Sequence, residues 1–253
     1  MADAALEDPR LSQLSDVLDD DRSDLDAYVD RAIELGARSV LDIGCGTGTL
    51  ACLLGRRGLE VTAVDSAATS LDVARRKPYA DRVRWILGNA ATLPPLQVEL
   101  VTMTGNVAQV FLSEDEWAHT PEAARAALQP QGHLVFEVRN NERQAWWEWN
   151  RERSYRCLER PGRSTVETWV ELTEVSLPFI SFRSTFVFTD DGLVLTSDST
   201  LRFRSQAEIQ SSLCSAGFAA VTVGEAPDRP GRELVFMATP AGAHKSDGNC
   251  SRI

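Results

Sequence analysis

Residues Leu41 to Leu50 read LDIGCGTGTL, a loop with three glycines at alternate positions between an apolar run and a segment of helical spacing. The apolar run, residues 39–43, has the length and composition of a short buried strand. Glycine is required where the backbone turns at positive φ or approaches a ligand closely. One glycine is enough for a tight turn from strand to helix, so three glycines in five residues predict a ligand site at this loop.

Strand and helix patterns alternate on both sides of the loop. The strand patterns are residues 39–43, 59–65, 82–88, 98–104 and 132–138, with helical patterns between them, and two more strand patterns close the chain at 218–224 and 233–239. Strands separated by helices pair in parallel, and the crossover helices cover both faces of the sheet. We therefore predict an α/β fold with a doubly wound, Rossmann-like, mostly parallel sheet of seven strands.

The pattern changes after Arg139. Residues 140–155 are aromatic and indicate a helix, and three long stretches of strand alternation follow at 165–175, 182–190 and 193–203. The dipeptide Asp191-Gly192 between the last two is a strong hairpin signal. These features predict a small antiparallel β-sheet inserted into the parallel domain.

The chain is thereby divided into five parts. They are an acidic helical segment at 1–35 that is a candidate lid, a core at 36–139, a helix with the inserted antiparallel sheet at 140–204, the final helix and strands of the core at 205–240, and a disordered tail at 241–253.

Composition excludes several classes of function. The chain has 26 Lys and Arg residues and 37 Asp and Glu residues, which gives a net charge of -11. Because this charge repels a phosphate backbone, we expect no nucleic-acid partner. We expect no signal peptide, no membrane helix and no membrane partner, because no basic start and no long apolar run are present. Five scattered cysteines fit reduced thiols in the cytoplasm, and the three histidines show no metal-ligand spacing, so we expect no metal.

The acidic residues around the loop indicate the ligand. The dinucleotide pattern G-x-G-x-x-G needs glycine at position 49, which is Thr49, and no lysine of a phosphate-binding P-loop is near. Asp42 precedes the first glycine, and a carboxylate there favours a positively charged ligand such as S-adenosylmethionine (SAM). Asp65 ends the second strand, where a carboxylate accepts hydrogen bonds from ribose hydroxyls or caps the following helix.

The motifs VLDIGCGTG (40–48), VTAVD (61–65) and LGNA (87–90), with a fourth strand that ends in polar residues, resemble the class I SAM-dependent methyltransferases over most of residues 36–138. The resemblance implies a set of cofactor contacts. They are Asp42, Gly44, Cys45, Gly46 and Gly48 along the methionine and ribose, Asp65 on the ribose diol, Ser66 and Ala67 near the adenine face, Asn89 and Ala90 at the adenine edge, and Thr104, Gly105 and Asn106 near the methionine and the methyl group.

The resemblance also implies a function. The inserted sheet resembles that of sugar-amine and glycine N-methyltransferases, in which an antiparallel layer roofs the substrate pocket. We therefore expect methyl transfer from SAM to a nitrogen or oxygen of a small-molecule acceptor, with S-adenosylhomocysteine as product. Asn106 and Glu137 are candidate catalytic residues, each with a structural alternative as a turn residue or an ion-pair partner. Glu137, Arg139 and Tyr28 are candidates for binding the acceptor. The helix that carries Tyr28 is a candidate lid that closes over the cofactor.

Three other functions stay open at this point. A protein or nucleic-acid methyltransferase is disfavoured by the acidic charge and by the absence of an Asn-Pro-Pro-Tyr signature after the fourth strand. A SAM-binding protein without transferase activity would keep the loop and have a filled acceptor pocket. A nicotinamide oxidoreductase is disfavoured by Thr49 and Asp42. The oligomeric state is not indicated.

Overall fold

The structure is a computed structural model that describes residues 8–18, 21–159 and 165–242. Its helices in chain order are α1 (Pro9–Ser12), α2 (Ser15–Leu18), α3 (Asp26–Glu34), α4 (Thr49–Arg56), α5 (Ala68–Ala74), α6 (Glu114–Ala127), α7 (Arg151–Ser154) and α8 (Gln206–Ser215). Its strands are β1 (Ser39–Ile43), β2 (Glu60–Asp65), β3 (Val83–Leu87), β4 (Val98–Met103), β5 (Leu128–Arg139), β6 (Arg156–Glu159), β7 (Thr165–Ser176), β8 (Phe179–Phe188), β9 (Val194–Arg202), β10 (Phe218–Glu225) and β11 (Glu233–Pro240).

The larger sheet has seven strands in the order β10-β11-β5-β4-β1-β2-β3. Strands β1 to β5 pair in parallel, and β11 pairs antiparallel with both β5 and β10. The predicted doubly wound sheet is thereby confirmed. Because parallel strands end at the same edge of a sheet, the carboxyl ends of β1, β2, β4 and β5 meet at one edge, where such folds bind ligands.

Alternate residues of the strands build two cores, one on each face of this sheet. On one face Trp117 of α6 and Ile209 of α8 pack over Phe136 and Phe236, whose rings stack with centroids 5.1 Å apart. On the other face, helices α3 and α4 cover β1, β2 and β4. The two-residue period of the strands explains the division, because neighbouring residues point to opposite faces.

The smaller sheet has the order β6-β7-β8-β9 and is antiparallel, as predicted. The turn at Asp191-Gly192 joins β8 to β9, with Gly192 at φ 70°. Strand β6 is additional to the three predicted strands. Its four residues are too few to show a clear alternation in the sequence.

The single helix predicted for residues 140–155 is wrong. The chain forms 3-10 turns at Asn141–Arg143 and Ala145–Glu148, and then the short helix α7. Gln144 between the two turns has φ 48°, a left-handed conformation that ends a helix. The turns allow Trp146 to pack on Phe203 and Trp149 on Phe182, with ring centroids 4.9 and 4.8 Å apart.

Side-chain caps begin two of the longer helices. Ser113 and Ser205 form capping boxes at the starts of α6 and α8, and Pro121 lies within α6. The predicted disordered tail, 241–253, lies outside the described residues except for its first two. No helix of the described part of the chain is long and apolar enough to cross a membrane.

The stacked pair Phe136 and Phe236 gives a test of the core. We expect Phe236→Ala to lower the free energy of unfolding by about 3–5 kcal/mol, because it removes a fully buried ring and leaves a cavity. Urea denaturation measures the loss. Ile33→Ala, at a helix position that is 48% exposed, is the control and should change stability by no more than about 0.5 kcal/mol. Equal effects of the two substitutions would contradict this description of the core.

Candidate active site

The glycine loop between β1 and α4 is held by the carboxylate of Asp65. One carboxylate oxygen accepts the amide hydrogen of Gly46 at 2.7 Å, and the other accepts that of Ala67 at 2.8 Å. The amides of Gly44 and Cys45 both donate to the carbonyl oxygen of Val64. The end of β2 therefore determines the path of the loop, and each Asp65 oxygen keeps a lone pair for a further donor.

The three glycines of the loop meet two different requirements. Gly44, Gly46 and Gly48 all have positive φ, at 70°, 54° and 73°. A Cβ on Gly44 would lie 2.6 Å from Val107, and a Cβ on Gly48 would lie 2.4 Å from Trp85, so both glycines are needed for packing. A Cβ on Gly46 would meet nothing within 4 Å. Gly46 is therefore the glycine of this loop that borders open space.

Asp42, two residues before Gly44, is buried within β1. Its side chain is 1% exposed and accepts a hydrogen bond from the Thr102 hydroxyl at 2.8 Å. Burial raises the pKa of Asp42 to about 7, against the lowering effect of the Thr102 bond. Burial and the nearby carboxylates likewise raise the pKa of the Cys45 thiol well above its usual range.

The residues predicted near adenine lie at the same edge of the sheet, after β2 and β3. Ser66 is exposed, and Ala67 is buried at the start of α5. The Asn89 side chain accepts the amide hydrogen of Ala91 at 3.0 Å and so caps a 3-10 turn, with Ala90 buried in that turn. Their common location comes from the parallel pairing of β2 with β3.

The loop after β4 carries the other predicted cofactor contacts. Thr104 is half-buried, and Gly105 is exposed with φ 73°. Asn106 is buried with φ 62°, and its side-chain amide donates to Glu233 at 3.0 Å. The Gly105 amide donates to Glu137 at 2.8 Å. Both candidate catalytic side chains, Asn106 and Glu137, are thus engaged with groups of their own chain.

The Arg139 side chain, at the end of β5, contacts one polar residue and one aromatic residue. Its guanidinium donates to the Gln109 side-chain oxygen at 3.2 Å and lies 5.7 Å from the centre of the Trp149 ring. Burial lowers its pKa. The amide nitrogen of Gln109 is buried and has no hydrogen-bond partner among the described residues.

Two parts of the N-terminal segment make different contacts near the carboxyl edge of the sheet. Tyr28 is buried, and its hydroxyl donates to Glu137. Asp16 of α2 instead reaches the loop, where it accepts hydrogen bonds from Thr47 and Lys77, both at 2.7 Å. Asp16 lies among many acidic residues, so nothing in the sequence distinguished it.

The smaller sheet and the N-terminal helices are packed together. Leu11 and Leu14 contact Val166, Phe186 and Phe188, and Arg10 pairs with Asp191 at 2.8 Å. One N-terminal segment therefore touches both the glycine loop and the inserted sheet.

The fold is a Rossmann-like α/β fold, and the glycine loop lies at the carboxyl edge of its parallel strands, where such folds bind ligands. Residues 40–132 match the family model described as a methyltransferase domain. An uncharacterized methyltransferase of Mycobacterium tuberculosis is 34% identical over 110 residues, which cover 44% of this chain and 51% of that protein. The chain spans about half the length of the curated relatives it matches.

Two solved structures share the fold. A SAM-dependent methyltransferase from Clostridium acetobutylicum has a TM-score of 0.70 at 14% identity and covers 91% of this chain and 97% of its own. CalS10, an amino pentose methyltransferase of Micromonospora echinaspora with SAM bound, has a TM-score of 0.68 at 22% identity and covers 88% and 93%. Over residues 40–132 the chain is therefore similar to methyltransferase domains, and its fold is the Rossmann-like fold of SAM-dependent methyltransferases, as the resemblance predicted.

Removal of the Asp65 carboxylate tests its part in the site. We expect Asp65→Ala to raise the Kd for SAM at least about tenfold, because hydrogen bonds to a charged group contribute about 1.5–3 kcal/mol. Calorimetric titration measures the affinity, and circular dichroism checks the fold. Asp72→Ala, which removes a carboxylate paired with Arg75 away from the loop, should leave the affinity unchanged. Unchanged affinity in a folded Asp65→Ala protein would remove this residue from the site.

The raised pKa of Asp42 predicts a pH-dependent stability. Since its pKa is about 7 in the folded chain against 3.8 for the free group, the folded state retains the proton over the interval between these values. The free energy of unfolding should therefore fall as pH rises from about 4 to about 7. Asp42→Asn removes this contribution, so urea denaturation across that range should show a flatter profile for the variant. Parallel profiles would contradict the burial of an ionisable Asp42.

Proposed function

We propose that this protein transfers a methyl group from SAM to a nitrogen or oxygen of a small-molecule acceptor. The observation that carries the proposal is the glycine loop, in which Asp65 fixes the backbone and Gly46 borders open space. The family match over residues 40–132 supports SAM as the cofactor. The amino pentose methyltransferase that shares the fold supports an acceptor of small-molecule size.

The residues at the loop fit SAM. Asp65 has lone pairs free for ribose hydroxyls, and the missing Cβ of Gly46 leaves room at the backbone. Asn89 and Ala90 would border the adenine, and Thr104 and Gly105 the methionine. When bound, SAM supplies a methyl group that its sulfonium already activates.

The chain's own part in the reaction is to align the acceptor. Because Glu137 binds groups of its own chain and the Asn106 amide is not a base, we propose that no free base is needed when the acceptor arrives as a neutral amine. Correct alignment of reactants alone can contribute about 7–11 kcal/mol in favourable systems. The product would be S-adenosylhomocysteine.

Arg139 and its surroundings are our candidate for holding the acceptor. The guanidinium lies against Trp149 and beside the unpaired amide nitrogen of Gln109. These donors suit an oxygen of the acceptor, and the Trp149 ring suits an apolar face of it. Tyr28, which the sequence suggested for this role, supports the site indirectly through Glu137.

The other expectations remain proposals. We propose a cytoplasmic protein, supported by the four described cysteines, none of which forms a disulfide bond within the described residues. The acidic composition supports the absence of a nucleic-acid or membrane partner. The alternative function is that of a SAM-binding protein without transferase activity. Such a protein would bind SAM but would transfer no methyl group to any acceptor in an activity assay.

A pair of glycine variants tests the cofactor. Gly46 and Gly36 both have positive φ, at 54° and 66°, and a Cβ on either meets nothing within 4 Å, so valine strains both sites similarly. We expect Gly46→Val to abolish SAM binding in calorimetry, since its side chain enters the space proposed for the cofactor. Gly36→Val should bind SAM like the native chain.

Titration with SAM, S-adenosylhomocysteine and NAD in parallel completes this test. Binding of the two adenosyl compounds alone is the expected result and opens a screen of amines and hydroxyl compounds as acceptors. Binding of NAD alone would overturn the proposal. Full SAM binding by Gly46→Val would show that the loop is not the site.

A further inference from the structure

The loop after β4 is attached to two buried glutamates on neighbouring strands. The Gly105 amide donates to Glu137 of β5, and the Asn106 side chain donates to Glu233 of β11, at 2.8 and 3.0 Å. Gly105 and Asn106 are both left-handed, and a residue other than glycine keeps such a conformation only when its surroundings hold it. The shape of this loop therefore depends on the two carboxylates.

The same glutamates are attached to the N-terminal segment Ser23–Glu34. The Tyr28 hydroxyl donates to the second oxygen of the Glu137 carboxylate. The Arg229 guanidinium lies 3.2 Å from Glu233 and 3.7 Å from Asp24. Tyr28 and Gly105 thus donate to different oxygens of the Glu137 carboxylate. A change in one of these hydrogen bonds therefore affects the other.

The surroundings of Glu137 also set its charge. Burial and then the neighbouring Glu233 carboxylate raise the pKa of Glu137 to about 7. A charged carboxylate accepts from both donors, whereas a protonated one must donate its own hydrogen. Five titratable or charged groups face the Glu137 carboxylate. They are Tyr28 of α3, Asp24 of the 3-10 turn before α3, Arg139 of β5, Arg229 of the turn before β11, and Glu233 of β11.

We propose that Glu137 and Glu233 are positioning residues that hold the loop 104–106 in its ligand-binding shape and connect it to the segment 23–34. The inference adds positioning residues to the proposed SAM site, and its meaning for catalysis rests on that proposed function. The contacts themselves can be tested without any ligand.

The first test follows the backbone amide of Gly105 by NMR as pH is varied. In the native chain its resonance should titrate with a midpoint near 7, because it donates to Glu137. Glu137→Gln should abolish this titration. Tyr28→Phe should raise the midpoint by about half a unit or more, since it removes a donor that stabilises the charged form, and Glu233→Gln should lower it, since it removes a like charge.

Tyr79→Phe is the matched control, because Tyr79 lies 40% exposed between Arg56 and Arg82 and far along the chain from the loop. It should leave the midpoint unchanged. A Gly105 resonance that does not titrate near pH 7, or a midpoint unmoved by Tyr28→Phe, would overturn the proposal. All these substitutions preserve side-chain shape, and circular dichroism checks the fold.

The second test asks whether the attachment matters for the ligand. Tyr28→Phe should weaken SAM binding about threefold or more in calorimetry, with Tyr79→Phe unchanged. Unchanged affinity in Tyr28→Phe would overturn the positioning role. If the native chain binds no SAM, the proposed function fails, while the Gly105 titration still decides whether the loop and the segment are coupled.

Discussion

The hydrogen bonds from Gly46 and Ala67 to the Asp65 carboxylate are the contacts on which the site depends. Asp65 ends β2, and the loop follows β1, so the parallel pairing of these strands brings carboxylate and loop together. A loop with three left-handed glycines is poorly restrained by itself, because glycine loses more conformational freedom on folding than other residues. A single carboxylate that binds two amides supplies the restraint and leaves the α-carbon of Gly46 facing open space.

The acidic residues at the carboxyl edge act mainly as acceptors for their own chain. Asp42 binds Thr102, Glu137 binds Gly105 and Tyr28, and Glu233 binds Asn106. Buried carboxylates without partners are costly, and each of these has at least one donor. The edge is therefore a rigid support, and this agrees with a transfer reaction that depends on alignment more than on a free base.

The surfaces above this edge come from distant parts of the chain. The N-terminal helices contact the glycine loop through Asp16 and the inserted sheet through Leu11 and Leu14. The 3-10 turns after β5 place Trp149 between Arg139 and Phe182. Residues from distant parts of the chain therefore meet at the carboxyl edge of the larger sheet.

The sequence by itself determined the elements whose signals are local. Strand patterns predicted all seven strands of the larger sheet and three of the four strands of the smaller one, and the glycine loop with Asp65 indicated the edge at which we expect a ligand. Only the tertiary structure decided that residues 140–155 form turns, that Asp16 reaches the glycine loop, and that Tyr28 and Glu137 are partners. These contacts join residues up to 109 positions apart, so they depend on how the strands and helices pack and leave no pattern among neighbouring residues.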